Sequence, residues 1–315
     1  MTVLSLTASG CVTVHGELAV LPSADRGEAA RALKDFTEAY NAADKAYDPG
    51  LDADRVTGAL GAINQAGLKA RSVTSPNGNP QHQPLELSDA KFAIPKKAGW
   101  PRWFVADTRS NRQSAGGQQT RWLLVFLRNG PDQKWKVPYL TIVAADAVPE
   151  FRTDDEGLAE PVEPGSKGLS VAPKDLSAEY ASYLEDGEPG HFADGPHTDA
   201  LREERKKKER LRGLSTQYID QAVSSGDFEP LGLATEDGGA LVFFTTRYFE
   251  RLTGAKGVKP EVSKDVQALT TGEVTSTLTK EWVSSQAVLV PAADAGDQRV
   301  TVAGRLQGVV AAKGS

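Results

Sequence analysis

The segment Trp122-Leu-Leu-Val-Phe-Leu127 is apolar at every position. A strand turns successive side chains to opposite faces, so a run of this kind marks an interior strand covered from both sides. Its neighbours agree. Leu85 to Ile94, Trp103 to Thr108 and Trp135 to Ala144 carry β-branched or aromatic residues and are separated by turn-forming stretches, with Asn129-Gly130-Pro131-Asp132 reading as a hairpin. Ahead of them, Ala29, Ala32, Leu33, Phe36 and Tyr40 recur at helical spacing, with Glu28, Arg31, Lys34 and Glu38 between them. That pattern predicts an amphipathic helix opening near Pro22-Ser23. Leu51, Val56, Leu60 and Ile63 predict a second helix closing near Gly67, and Ser72 to Gln83 reads as a loop. Helices are expected to cover one side of the sheet.

The order then repeats. Residues 151–172 are acidic and rich in Pro and Gly, the composition of a linker. Leu176, Tyr180, Tyr183 and Leu184 predict a short helix, Gly187 to Pro196 a mobile loop, and Thr198 to Val223 a further helix. The charge run Arg202-Glu-Glu-Arg-Lys-Lys-Lys-Glu-Arg210 would be its solvated face and Leu201, Leu211, Leu214, Tyr218 and Ile219 its buried side. Strands are expected at Ala240 to Glu250, Glu273 to Thr279, Trp282 to Val290 and Arg299 to Val310. The fold class expected is therefore α+β: two helix-plus-antiparallel-sheet domains, possible cystatin-like or NTF2-like cones in tandem, over residues 23–150 and 173–315. A single fold with long insertions is the alternative. The 315 residues suffice for two domains.

With 36 Lys and Arg against 42 Asp and Glu, the formal net charge is −6, which argues against nucleic acid as a partner, since that requires a basic surface. No run of 18 apolar residues occurs that could form a membrane-spanning helix. The chain has one cysteine, so neither an intramolecular disulfide nor a cysteine-based zinc site can form. That cysteine, Cys11, follows Ala8-Ser9-Gly10. Small residues before a lone cysteine fit a lipobox, in which a signal peptidase cuts ahead of a thiol that then carries the lipid anchor. The stretch before it lacks a basic residue and a full hydrophobic core, so residues 1–22 are read as the remnant of a longer signal peptide plus a tether. Cys11-Val-Thr-Val-His-Gly-Glu17, with Phe36-Thr-Glu-Ala-Tyr-Asn-Ala-Ala-Asp44, resembles the secreted actinobacterial lipoproteins that carry an uncharacterised domain. The resemblance covers most of the chain and implies a location, the extracytoplasmic face of the membrane, more than an activity.

Chemical motifs are sparse. His191, Asp194, His197 and Asp199 fall within nine residues and could ligate a divalent metal, but their Gly- and Pro-rich setting reads as a solvated loop. No Gly-x-Ser-x-Gly occurs, no Ser-x-x-Lys stands in a convincing context, Gly116-Gly117 and Gly238-Gly239 lack the lysine and helix that would cradle phosphates, and no cofactor is expected. Basic and aromatic residues interleave at Trp100-Pro-Arg102-Trp-Phe104 and Arg121-Trp122; a glycan or peptide groove is one reading and core filling the favoured one. The expected role is a lipid-anchored binding module or envelope scaffold facing an unknown envelope protein or small ligand. An enzyme is the alternative, and Asp107, Arg121 or Arg247 lining a pocket would be its mark.

Overall fold

The computed structural model describes residues 19–112 and 117–315; Cys11 and the run before it lie outside the described residues. Val20–Pro22 forms strand β1, so the end of the segment expected to be tether is part of the fold. Helix α1 spans Arg26–Ala46. Asp25 caps it by accepting from the Glu28 N–H at 2.7 Å, which satisfies one of the amides that a first helical turn leaves free. Ala29, Ala32, Leu33 and Phe36 are buried along one stripe, as their spacing predicts. Helix α2, Gly58–Thr74, runs beyond Gly67. Five strands follow: β2 Leu87–Ala93, β3 Lys96–Ala98, β4 Arg102–Ser110, β5 Thr120–Arg128 and β6 Lys136–Ala144. β1 pairs with β3, while the first main sheet is antiparallel in the order β2-β4-β5-β6.

The second half contributes β7 Pro161–Val162, α3 Leu176–Asp186, α4 Asp199–Lys208, β8 Arg210–Leu211, β9 Leu214–Val223, β10 Leu231–Ala234 and β11 Ala240–Gly254. A five-residue helix, α5 Lys264–Ala268, then precedes β12 Thr270–Thr271, β13 Thr277–Val290 and β14 Thr301–Gly314. These strands make the second sheet. β11 is its spine, with β13 along one side and β10 and β9 sharing the other.

The class is α+β, but the sheets do not stand as two separate cones. α1 covers one face of the first sheet through Phe36, Phe104, Leu124 and Phe126. The opposite face, with Trp103, Val105, Leu123 and Val125, packs directly on Leu233, Leu241, Phe243 and Ala287 of the second sheet. The far side of the second sheet is covered by α3 through Leu176, Tyr180 and Leu184 against Val242 and Phe244. The order is therefore helix, sheet, sheet, helix. β5 is buried on both faces, as its unbroken apolar run requires, with a sheet rather than a second helix as its other cover. Gly304 marks where β14 crosses β6, since a Cβ there would meet the Ile142 carbonyl oxygen at 2.6 Å.

Three local expectations need correction. Residues 151–172, read as a linker, are threaded into the fold: Phe151 bridges Thr235, Ala159 bridges Pro95, β7 pairs with β10, and Leu169 and Val171 are buried. The loop Gly187 to Pro196 is pinned by Phe192, which is buried and bridges Val300. The helix expected to reach Val223 stops at Lys208. Arg212 and Gly213 both take positive φ and turn the chain back between β8 and β9, a conformation a helix cannot contain. From Leu214 on, the pattern has a period of two. Among the described residues, no helix is long and apolar enough to cross a membrane.

Asp52, fully buried before α2, accepts from Asn64 Nδ2 and Gln65 Nε2, each at 2.6 Å. Burial outweighs those bonds and pushes its carboxyl up to about 6. Since this exceeds the ordinary 3.8, the folded protein holds an extra proton between the two values, and stability falls as pH rises through that window. Asp52→Asn, which cannot titrate and keeps one of the two accepting oxygens, should abolish this fall in stability between about pH 4 and 6, as read by urea unfolding across pH.

Candidate binding groove

Several open hollows among the described residues carry charged side chains, and two of them hold buried arginine–aspartate pairs. The first, of about 610 Å³, lies beside β2 and β4 and includes Asp107 and Arg121. Arg121 Nε donates to Asp107 Oδ1 at 2.6 Å, Nη1 to Asp89 Oδ2 at 2.7 Å, and Nη2 to the Asp89 and Asp107 carbonyls at 2.9 and 3.1 Å. Asp89 stands at a bulge in β2 with φ +49°, and the guanidinium beside it holds its carboxyl below the usual range. Arg121 thus spends both edges of its fork clasping that bulge to the sheet. Arg247 is elsewhere, on β11, donating to Gln221 Oε1 at 3.0 Å and Glu281 Oε1 at 3.4 Å. The structure brings Asp107 and Arg121 together and leaves Arg247 apart.

The other sequence candidates are also placed. Trp103, Phe104 and Trp122 are buried in the core. The guanidinium groups of Arg102 and Arg128 both lie over Trp100, 4.8 and 5.1 Å from its ring centre, and Arg128 also covers Trp135 and pairs with Glu28 at 3.0 Å. His191 Nδ1 meets Glu179 Oε2 at 2.7 Å, whereas Asp199 accepts from the Gly195 N–H at 2.5 Å. His197 is partly buried, and burial followed by the nearby Arg305 charge holds its ring below the ordinary value. Among the described residues no three His, Cys, Asp or Glu side chains converge as a metal site would need.

The second hollow, about 670 Å³, is a groove between α4 and the outer edge of β9. Its floor is anchored by Arg205, 6% exposed, whose Nη1 and Nη2 donate to Asp220 at 2.7 and 3.2 Å. The guanidinium carbon sits 4.7 Å from the ring centres of both Tyr218 and Tyr248. Tyr248 in turn stacks on Trp282 at 5.6 Å, and Trp282 Nε1 donates to Glu250 at 3.0 Å. Burial pushes the Tyr218 hydroxyl up to about 12, so both rings stay neutral and present π faces to the cation. Arg202, Lys206 and Arg210 form much of the rim. A charge run read as solvated helix does not reveal this site. The period-two pattern Leu214, Thr216, Tyr218, Asp220, Ala222 after Arg212-Gly213 is the signal that could have.

These features define a two-sheet α+β body with a lateral groove beside a strand edge. The chain belongs to the family described as Domain of unknown function (DUF8094), whose model matches residues 20–314. It is 57% identical over 314 residues to an uncharacterized lipoprotein of Streptomyces coelicolor, covering 99% of this chain and 93% of that protein. An uncharacterized lipoprotein of Streptomyces avermitilis is 54% identical over the same shares. The resemblance to actinobacterial lipoproteins with an uncharacterised domain is thereby borne out. No solved structure matches the chain.

Proposed function

We propose that this chain is the body of a lipid-anchored extracytoplasmic protein, tethered through Cys11, and that it acts as a binding module through the groove between α4 and β9. The anchor is supported by the lipoprotein names of relatives more than half identical over almost the whole chain, together with the lone cysteine after small residues. Eight residues separate Cys11 from Val20, a reach of roughly 30 Å when extended, which holds the body close to the membrane. Expressed from its full reading frame in its own host, the protein should carry a diacylglycerol mass on Cys11 and stay with the membrane. Cys11→Ser should abolish both; an unmodified Cys11 in a soluble cytoplasmic fraction would refute the anchor.

The observation that supports binding is the groove itself: an open hollow whose floor is locked by the Arg205–Asp220 pair and whose rim is charged. The enzyme alternative draws on the Asp107–Arg121 cleft, where the guanidinium fork is already taken up by the chain's own carboxylate and carbonyl groups. Amide shift mapping of the full chain with a panel of short peptides and simple sugars separates the two. Shifts clustered along Arg202 to Asp220 are expected; shifts confined to the Arg121 cleft, with turnover of the added compound, would favour the enzyme.

A further inference from the structure

We infer that the occupant of the groove is an extended segment of another polypeptide, added as an extra strand to the outer edge of β9. This rests on the binding-module reading and names its partner. β9 is paired along its whole length with β11 on one side, but on the other only its first two residues are paired, to β8. The direction of the remaining backbone groups is fixed by one bond: the Thr216 N–H donates outward to the Glu209 carbonyl at 2.8 Å. Alternate residues of a strand turn their N–H and C=O groups the same way, so Tyr218, Asp220 and Ala222 also direct theirs outward, where no strand among the described residues is paired.

α3 packs nearby and takes the Val223 N–H through Ser177 Oγ at 2.9 Å, but before that point the edge reaches solvent, with Ala222 exposed. The Asp220 side chain is 1% exposed, yet Asp220 as a whole is only partly buried, so its exposed part is main chain. An unpaired row of donors and acceptors spaced along one strand is matched by the backbone of an extended peptide and not by a sugar or a metal ion. The groove accommodates the added strand's side chains on the α4 side. On the other face Ile219 is 48% exposed and lies opposite the partly buried Phe249 in register, so an apolar residue beside Ile219 would complete a cross-strand cluster. The rim mixes Arg202, Lys206 and Arg210 with Glu185 and Glu209, so polar residues of either sign suit the positions facing it.

The test uses the full chain and acetylated, amidated hexapeptides alternating Val with Thr or Ser. Binding is followed by amide shifts and hydrogen exchange. The outward amides of Tyr218, Asp220 and Ala222 should slow at least tenfold in exchange, while the inward amides of Gln217, Ile219 and Gln221, already bonded to β11, change little. A peptide N-methylated at alternate residues on its pairing edge should bind at least tenfold more weakly, as should the parent peptide to Ile219→Lys. If peptide shifts map to the groove without that protection, or the N-methylated peptide binds equally well, strand addition is wrong while groove binding survives. If no peptide shifts the groove and the sugars do, strand addition is again wrong. If neither does, both readings fail. Protection of the same three amides that grows with protein concentration alone would identify a second copy of this chain as the occupant and overturn the proposal.

Discussion

Arg205→Met is expected to destabilise the protein by about 3–5 kcal/mol, because it leaves the Asp220 carboxylate buried with no cation to answer it. The loss is not a measure of what the ion pair contributes. Methionine keeps much of the packing between Tyr218 and Tyr248, so the penalty comes from the stranded charge. The double variant Arg205→Met, Asp220→Leu should therefore recover most of it, as burial of an apolar pair removes both desolvation costs. Urea unfolding of the two single variants and the double gives the coupling directly; a double variant no better than Arg205→Met would show that the cost lies in packing instead.

Phe126→Ala should cost a similar amount, about 3–5 kcal/mol. Its ring is fully buried, lies parallel to Phe104 at 4.8 Å and meets Phe36 edge-on at 6.0 Å, so its removal opens a hole between α1 and the first sheet that its neighbours cannot fill without leaving their own contacts. Phe249→Ala, on the partly open face of the second sheet, serves as the comparison and should cost less than half as much. Equal losses at the two positions would contradict the layer order described above.

What the sequence disclosed follows from how local each cause is. α1 was legible because five apolar residues hold one spacing across three turns, and β5 because a run without a polar residue leaves no solvent face. The face-to-face contact of the sheets was not legible. An apolar face reads the same whether a helix or another sheet covers it, and Trp103 and Leu241 are brought together only by tertiary folding. The groove was hidden for a different reason. Leu211, Leu214 and Tyr218 satisfy a helical period well enough to mask the turn at Arg212-Gly213, and Arg205 resembles any solvated helix charge until Asp220 comes round beneath it. The acidic stretch 151–172 has few large apolar residues, and its pairing uses main-chain groups, which composition does not display.

The crossing of β14 over β6 bears on how the molecule can be made. β14 follows every other described strand, yet it lies against an edge of the first sheet, and the core between the sheets draws on residues from Ala59 to Ala287. Until β10, β11 and β13 have emerged, the N-terminal sheet is left with Trp103, Val105, Leu123 and Val125 bare on one side. A chain delivered across a membrane from its N-terminus would present that sticky surface for most of its passage. A nonsense codon shortly before Leu231 would leave that face uncovered for good and yield an aggregate rather than a shortened protein.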